Sequence, residues 1–164
     1  MRIIIRSLSE VDFPLVEALA YRIWPVAYGG NLTPDQLENL LSRIYCADNL
    51  QKEVLDGHCF WGAFEGDNAL GFASGYRKDA TIWIKKLYVL PEVQGKGVGR
   101  ALMQTVIDAF APATEVRLFV NGQNLAAQLF YERCGFTNAG AVEVQMGDFR
   151  FSDYVYAKGS MTSA

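Results

Sequence analysis

The sequence predicts an α/β fold, a mixed and mainly antiparallel sheet flanked by helices, built as one domain of 164 residues. Three observations predict it. Apolar residues recur at helical spacing in separate segments, for example Leu37, Leu40, Leu41 and Ile44. Runs rich in aromatic and β-branched residues are joined by short turns at Glu65-Gly66-Asp67-Asn68, Lys78-Asp79 and Gly147-Asp148, which is hairpin chemistry. Between Leu87 and Met103 the chain passes from a strand through a glycine-rich turn into a helix.

Taken in order, residues 2 to 7 read as a first strand. Ser9-Glu10-Val11-Asp12 reads as a cap ahead of a helix carrying Phe13, Val16, Leu19 and Ala20. Trp24-Pro25 is expected to break that helix, leaving Tyr28-Gly29-Gly30-Asn31 as a loop. Thr33 caps a second helix with Pro34 in its first turn. Asp48 to Leu55 reads as a third, short helix stopped by Gly57. Strands follow at His58–Phe64, Ala69–Arg77 and Thr81–Val89. Pro91 cannot donate to a ladder and ends the last of them. Val98, Ala101, Leu102, Val106, Ala109 and Phe110 form the stripe of the next helix, with Pro112 beyond it. Val116–Val120 is a strand, and Asn124–Cys134 a helix closed by Gly135. Phe136–Met146 and Phe149–Ala157 form a final pair, and Gly159–Ala164 reads as frayed.

Composition narrows the class. A hydrophobic fraction of 51% is ample for a core, and a net charge of −3 gives no general attraction to nucleic acid or to an anionic membrane. No apolar run approaches the length of a membrane span, and Ile3-Ile4-Ile5 is too short for a secretion signal. Cys46, Cys59 and Cys134 are odd in number and widely spaced, so they form neither a metal pattern nor a disulfide framework. A cytoplasmic protein with no metal centre is expected.

The stretch Gln94-Gly95-Lys96-Gly97-Val98-Gly99-Arg100 reads as an anion site. Glycine lets a ligand approach the backbone, and the first amides of a helix lack partners and carry the positive end of its dipole. Lys96 and Arg100 add full charge there. The plain alternative is a tight strand–helix connection with no ligand. A Walker loop needs Ser or Thr after its lysine, and here Gly97 follows Lys96. A dinucleotide fingerprint starting at Gly95 needs a sixth-position glycine, and that position is Arg100.

The spacing Gln94-x-x-Gly97-x-Gly99, behind Val89-Leu90-Pro91, instead resembles the acyl-CoA pyrophosphate loop of the GNAT superfamily of N-acetyltransferases. A second stretch resembles that family too: Asn124-x-x-Ala127-x-x-Phe130-Tyr131-x-x-x-Gly135-Phe136. The likeness spans residues 60 to 158. It implies two parallel strands, Thr81–Val89 and Val116–Val120, that splay apart around acetyl-CoA as co-substrate. It implies that the amides of Gln94, Gly95, Lys96, Gly97, Val98, Gly99 and Arg100 hold the pyrophosphate. It further implies that backbone groups of Leu87, Tyr88 and Val89 pair with the pantetheine arm. Asn124 contacts the cofactor, and Tyr131 protonates the departing thiolate. On their own residues, Asn124 also reads as a helix cap and Tyr131 as packing.

Amide formation needs a neutral amine, so a proton must leave the acceptor. Many family members carry a Glu on the strand before the loop, where this chain has Lys85-Lys86. The base is left open among His58, Glu92 and Glu143. Cys134 has no activating partner in the sequence, so direct transfer is favoured over an acyl-cysteine route. The ending around Met146-Gly147-Asp148 and Asp153 resembles bacterial spermidine/spermine N-acetyltransferases, which implies a small primary amine as acceptor, with polyamines as candidates. Lys85-Lys86 argues against a polycation unless those side chains point away. A peptide acceptor, a silent acyl-CoA sensor and a nucleotide-binding module are the competing readings. A monomer or homodimer is expected.

Overall fold

In a computed structural model, described over residues 2–146 and 148–159, seven strands form one sheet in the order β1-β2-β3-β4-β5-β7-β6. The strands are β1 (Ile4–Leu8), β2 (Cys59–Glu65), β3 (Asn68–Lys78), β4 (Thr81–Val89), β5 (Glu115–Asn121), β6 (Thr137–Met146) and β7 (Phe149–Gly159). Every neighbouring pair is antiparallel except β4 and β5. Helices α1 (Phe13–Tyr28), α2 (Pro34–Ile44) and α3 (Ala47–Leu55) cover one face. Helices α4 (Val98–Phe110) and α5 (Leu125–Arg133) cover the other. The mixed, mainly antiparallel sheet is therefore as expected.

Local chemistry accounts for the boundaries. Thr33 Oγ1 accepts from the Gln36 amide at 3.2 Å, while Gln36 Oε1 accepts from the Thr33 amide at 2.9 Å, a reciprocal cap that starts α2. Gly135 takes φ +95 behind α5, where a side chain would be strained. Of the expected Gly147-Asp148 turn, Gly147 lies outside the described residues and Asp148 is in a turn. Gly159, expected to fray, is instead the last residue of β7 and pairs with Glu115.

Helix α1 corrects a second expectation, because it does not break at Trp24-Pro25 but runs through to Tyr28. Pro25 is exposed, so the carbonyl one turn earlier that loses its partner lies on the solvent side. On the inner side, Trp24 is buried against the rings of Tyr28, Tyr45 and Tyr88, which holds the last turn in place. This extra turn carries Tyr28 from the expected loop to β4, where its hydroxyl meets that of Tyr88.

A bulge in β4 sorts its side chains. Ser74 faces Lys86 and Gly75 faces Ile84, so Lys85 has no opposite number on β3. Strict alternation would put Ile84 and Lys86 on one face. With the bulge, Ile84 joins the α4 side and Lys86 turns under α3. The Lys86 ammonium is buried, 2.6 Å from Glu53 Oε1 and between the rings of Tyr45 and Phe60. Burial lowers its pKa and the Glu53 carboxylate opposes that shift. Glu53→Ala leaves a buried ammonium unpaired and should cost about 3–5 kcal/mol, whereas Glu53→Leu with Lys86→Met should fold about as stably as the parent. Denaturant melts of both proteins check this.

Candidate active site

The parallel ladder between β4 and β5 runs from Thr81↔Glu115 to Ile84↔Leu118 and stops. Beyond it, β4 stays bonded to β3 and β5 to β7, while their facing edges are unpaired. A cleft of about 670 Å³ opens there, lined by the far ends of both strands, the glycine loop, α5 and the last turns of α1. Such bare edges suit an extended ligand carrying amides, as a pantetheine arm does.

The glycine loop closes one end. Gly95 and Gly97 take φ +80 and +85, conformations that disfavour any other residue. A Cβ on either would meet no protein atom within 4 Å, so the space in front of them is open. Among the described residues, no hydrogen bond engages the amides of residues 95 to 100. Gln94 Nε2 donates to the Val89 carbonyl at 3.3 Å and folds the loop back on β4. Arg100 and Arg133 add charge to the lining. Bare amides at a helix start, open space and two guanidinium groups fit a pyrophosphate. Gly99 has another duty: its missing side chain leaves room for the Phe130 ring, 3.3 Å from where a Cβ would sit.

Of the site residues expected from sequence, Leu87, Tyr88, Val89, Gln94, Gly95, Gly97, Gly99, Arg100, Asn124 and Tyr131 all line the cleft. Lys96 is exposed outside it, and the Val98 side chain is buried in the core, which leaves their backbone amides for a ligand. Asn124 is a helix cap that also lines the cleft. Its Oδ1 caps α5 by accepting from Ala127 at 3.1 Å.

Tyr131 is 8% exposed and packs on Phe130, Phe136 and Tyr156. Its hydroxyl has no hydrogen-bond partner among the described residues. Burial raises its pKa far above the ordinary value, with smaller contributions from Tyr28 and Cys134, so it is protonated at neutral pH and suited to donate. Two more tyrosines line the cleft, and the Tyr28 and Tyr88 hydroxyls are 3.1 Å apart. Burial likewise raises the Tyr88 pKa well above normal, and Tyr131 adds to that shift.

The three base candidates do not line this cleft. His58 stacks on Tyr76 with its Nδ1 4.0 Å from Glu53. Glu92 pairs with Arg22 on the surface, and Glu143 accepts from Ser152. Burial raises the Cys134 pKa, which holds that sulfur as the un-nucleophilic thiol. Among the described residues, no group of His, Cys, Asp and Glu has the arrangement of a metal site, and no helix is long and apolar enough to cross a membrane. Sequence reasoning missed Tyr28 and Arg133 as lining residues. Arg133 sits in α5 at the position before Cys134, within the second motif, and the motif's spacing was the one signal that pointed to its helix.

A cleft with bare backbone edges, an anion-ready loop at one end and a protonated tyrosine along its wall suits an extended ligand that carries a phosphate. The profile of the Acetyltransferase (GNAT) family matches residues 20–136, and the chain belongs to that family. It is an acetyltransferase that uses acetyl-CoA. The spermidine N(1)-acetyltransferase of Thermoplasma acidophilum is 27% identical over 143 residues, 83% of this chain and 89% of its own. The peptidyl-lysine N-acetyltransferase YjaB of Escherichia coli is 35% identical over 115 residues, 67% of this chain and 72% of its own. Among solved structures, the PaiA N-acetyltransferase of Thermoplasma acidophilum in complex with coenzyme A superposes with a TM-score of 0.81 at 26% identity, covering 97% of this chain and 99% of that one.

Proposed function

We propose that the protein moves the acetyl group directly from acetyl-CoA, held between β4 and β5, to a primary amine of a small molecule, with polyamines as the leading class. The observation that carries direct transfer is the pairing of a protonated Tyr131 hydroxyl in the cleft with a Cys134 whose thiol is held protonated. Tyr131 supplies a proton to the leaving sulfur as the carbon–sulfur bond breaks, and no protein nucleophile intervenes. The glycine-loop amides, with Arg100 and Arg133, hold the pyrophosphate end, and the β4 edge at Leu87–Val89 orients the arm.

Two observations support a small cationic acceptor. Lys86, one of the two lysines that argued against a polycation, turns into the core and is neutralised by Glu53, so only Lys85 faces the cleft. A hollow of about 590 Å³ adjoins the cleft at Asn121, walled by Asn31, Leu32 and Gln36 and by Asp148 with the first half of β7, and it has the size of a small-molecule site. The likeness to a spermidine acetyltransferase over most of the chain points the same way. A peptide acceptor is the second reading, favoured by the likeness to a peptidyl-lysine acetyltransferase. Thiol release from acetyl-CoA, measured with spermidine and with a lysine-bearing peptide, separates them. Saturable turnover of spermidine supports the proposal, and saturation by the peptide alone rejects it.

A further inference from the structure

An acceptor amine with lysine-like basicity arrives almost wholly protonated at pH 7 and must lose a proton before it attacks. Yet the ionisable side chains that line the cleft are Lys85, Arg100, Arg133, Tyr28, Tyr88 and Tyr131, with no carboxylate and no histidine among them. No ordinary base lines the cleft, so a side chain that takes the proton would have to sit behind the lining. One path is visible. Tyr88 faces the cleft, and its hydroxyl is hydrogen-bonded to that of Tyr28. Asp153 of β7 is paired with Asn121, which itself lines the cleft. Phe149 and Phe151, on the same face of β7 as Asp153, pack against the cluster that contains Tyr28. The Asp153 carboxylate is half-buried, and among the described residues it has no hydrogen bond or ion pair. A half-buried carboxylate without a partner is expensive to keep, and such groups cluster where chemistry needs them.

We propose that Asp153 is the proton acceptor for the amine, reached through the Tyr88–Tyr28 hydroxyl pair and one bridging water. This rests on the reading of the cleft as the place where an amine is acetylated. The ammonium passes a proton to the Tyr88 oxygen as Tyr88 passes its own to Tyr28, and Tyr28 passes its own through the water to Asp153. Neither tyrosine ends the step charged, and Asp153 ends it as the neutral acid. The freed lone pair forms the carbon–nitrogen bond, and the carbon–sulfur bond breaks with the Tyr131 proton going to sulfur. The second nitrogen proton restores Tyr131, and Asp153 returns its proton to solvent, so amide, thiol and one released proton balance the reaction. Burial raises the Asp153 pKa, which makes it a better acceptor than an exposed carboxylate. Burial is also the main cause of the raised Tyr28 pKa, and the Asp153 charge adds to it, which puts the two groups within electrostatic reach.

The titratable group in electrostatic reach of Asp153 is Tyr28 from α1, and the strand neighbours of Asp153 are Asn121 on β5 and Val142 on β6. The test is kcat/KM against pH for Asp153→Asn and Tyr28→Phe, with whichever of spermidine or the lysine peptide saturates the parent enzyme. Failure of spermidine alone then counts against the small-amine reading and leaves the relay to be judged on the peptide. Both variants should lose about 10²-fold in kcat/KM at pH 7, the usual size of a general-base effect. The loss should shrink by about tenfold per pH unit toward the pKa of the amine, because the free base then arrives ready-made. Acetyl-CoA affinity, read by calorimetry, should not change. Parental kcat/KM at pH 7 in both variants, or a loss that stays constant with pH, overturns the relay. Tyr28→Phe decides alone if Asp153→Asn does not fold.

Discussion

Tyr131→Phe should lower kcat by about 10²-fold, the size of a general-acid contribution, while acetyl-CoA affinity stays within about twofold. The substitution removes one oxygen and keeps the ring, so its contacts with Phe130, Phe136 and Tyr156 persist. No hydrogen bond among the described residues is lost with that oxygen, and stability should change little. What disappears is a buried hydroxyl that keeps its proton at neutral pH and can give it to the sulfur as the carbon–sulfur bond breaks. The loss belongs in kcat, because the thiolate exists only as the bond breaks. The assay must be limited by chemistry, since slow product release would hide the effect. Turnover at the parental rate under that condition makes Tyr131 a packing residue.

Gly97→Val should weaken acetyl-CoA binding by about 10- to 100-fold, the equivalent of one charge-assisted hydrogen bond or two lost from the loop. Gly97 precedes α4 at φ +85, and a β-branched residue there is strained by about 1–2 kcal/mol. Protein atoms do not obstruct the new side chain, because the space in front is open. That open space is where the pyrophosphate would lie, so the branched side chain competes with the ligand and the strain re-aims the amides of the first turn. Calorimetric titration reads the affinity, and a thermal melt shows that α4 still docks through Leu102, Met103, Val106 and Ile107. Unchanged affinity removes the loop from the binding site.

Much of the fold was legible because its signals are local. The Thr33–Gln36 cap, the hairpin turns and the apolar stripe from Val98 to Phe110 each lie within one short window. The glycine loop was legible for the same reason: a turn that exposes backbone amides needs glycine at fixed spacing. The rest depended on tertiary structure. Pro25 reads as a breaker until Trp24 and Tyr28 are seen packed on Tyr88, which lies far along the chain. Lys85-Lys86 reads as a cationic pair until the β4 bulge turns one of them under α3 to meet Glu53. No periodicity announces a bulge of one residue, and no spacing announces that the Tyr28 and Tyr88 hydroxyls meet across α1 and β4.

The account stands or falls on acetyl-CoA lying in the gap between β4 and β5. Amide chemical-shift mapping of an acetyl-CoA titration tests that most directly. The account predicts the largest shifts at residues 87–89, 94–100, 119–121 and 124, with Tyr131 following and β1 and β2 silent. Shifts centred instead on the hollow at Asn31, Leu32, Gln36 and the first half of β7, with the glycine loop unmoved, would contradict it.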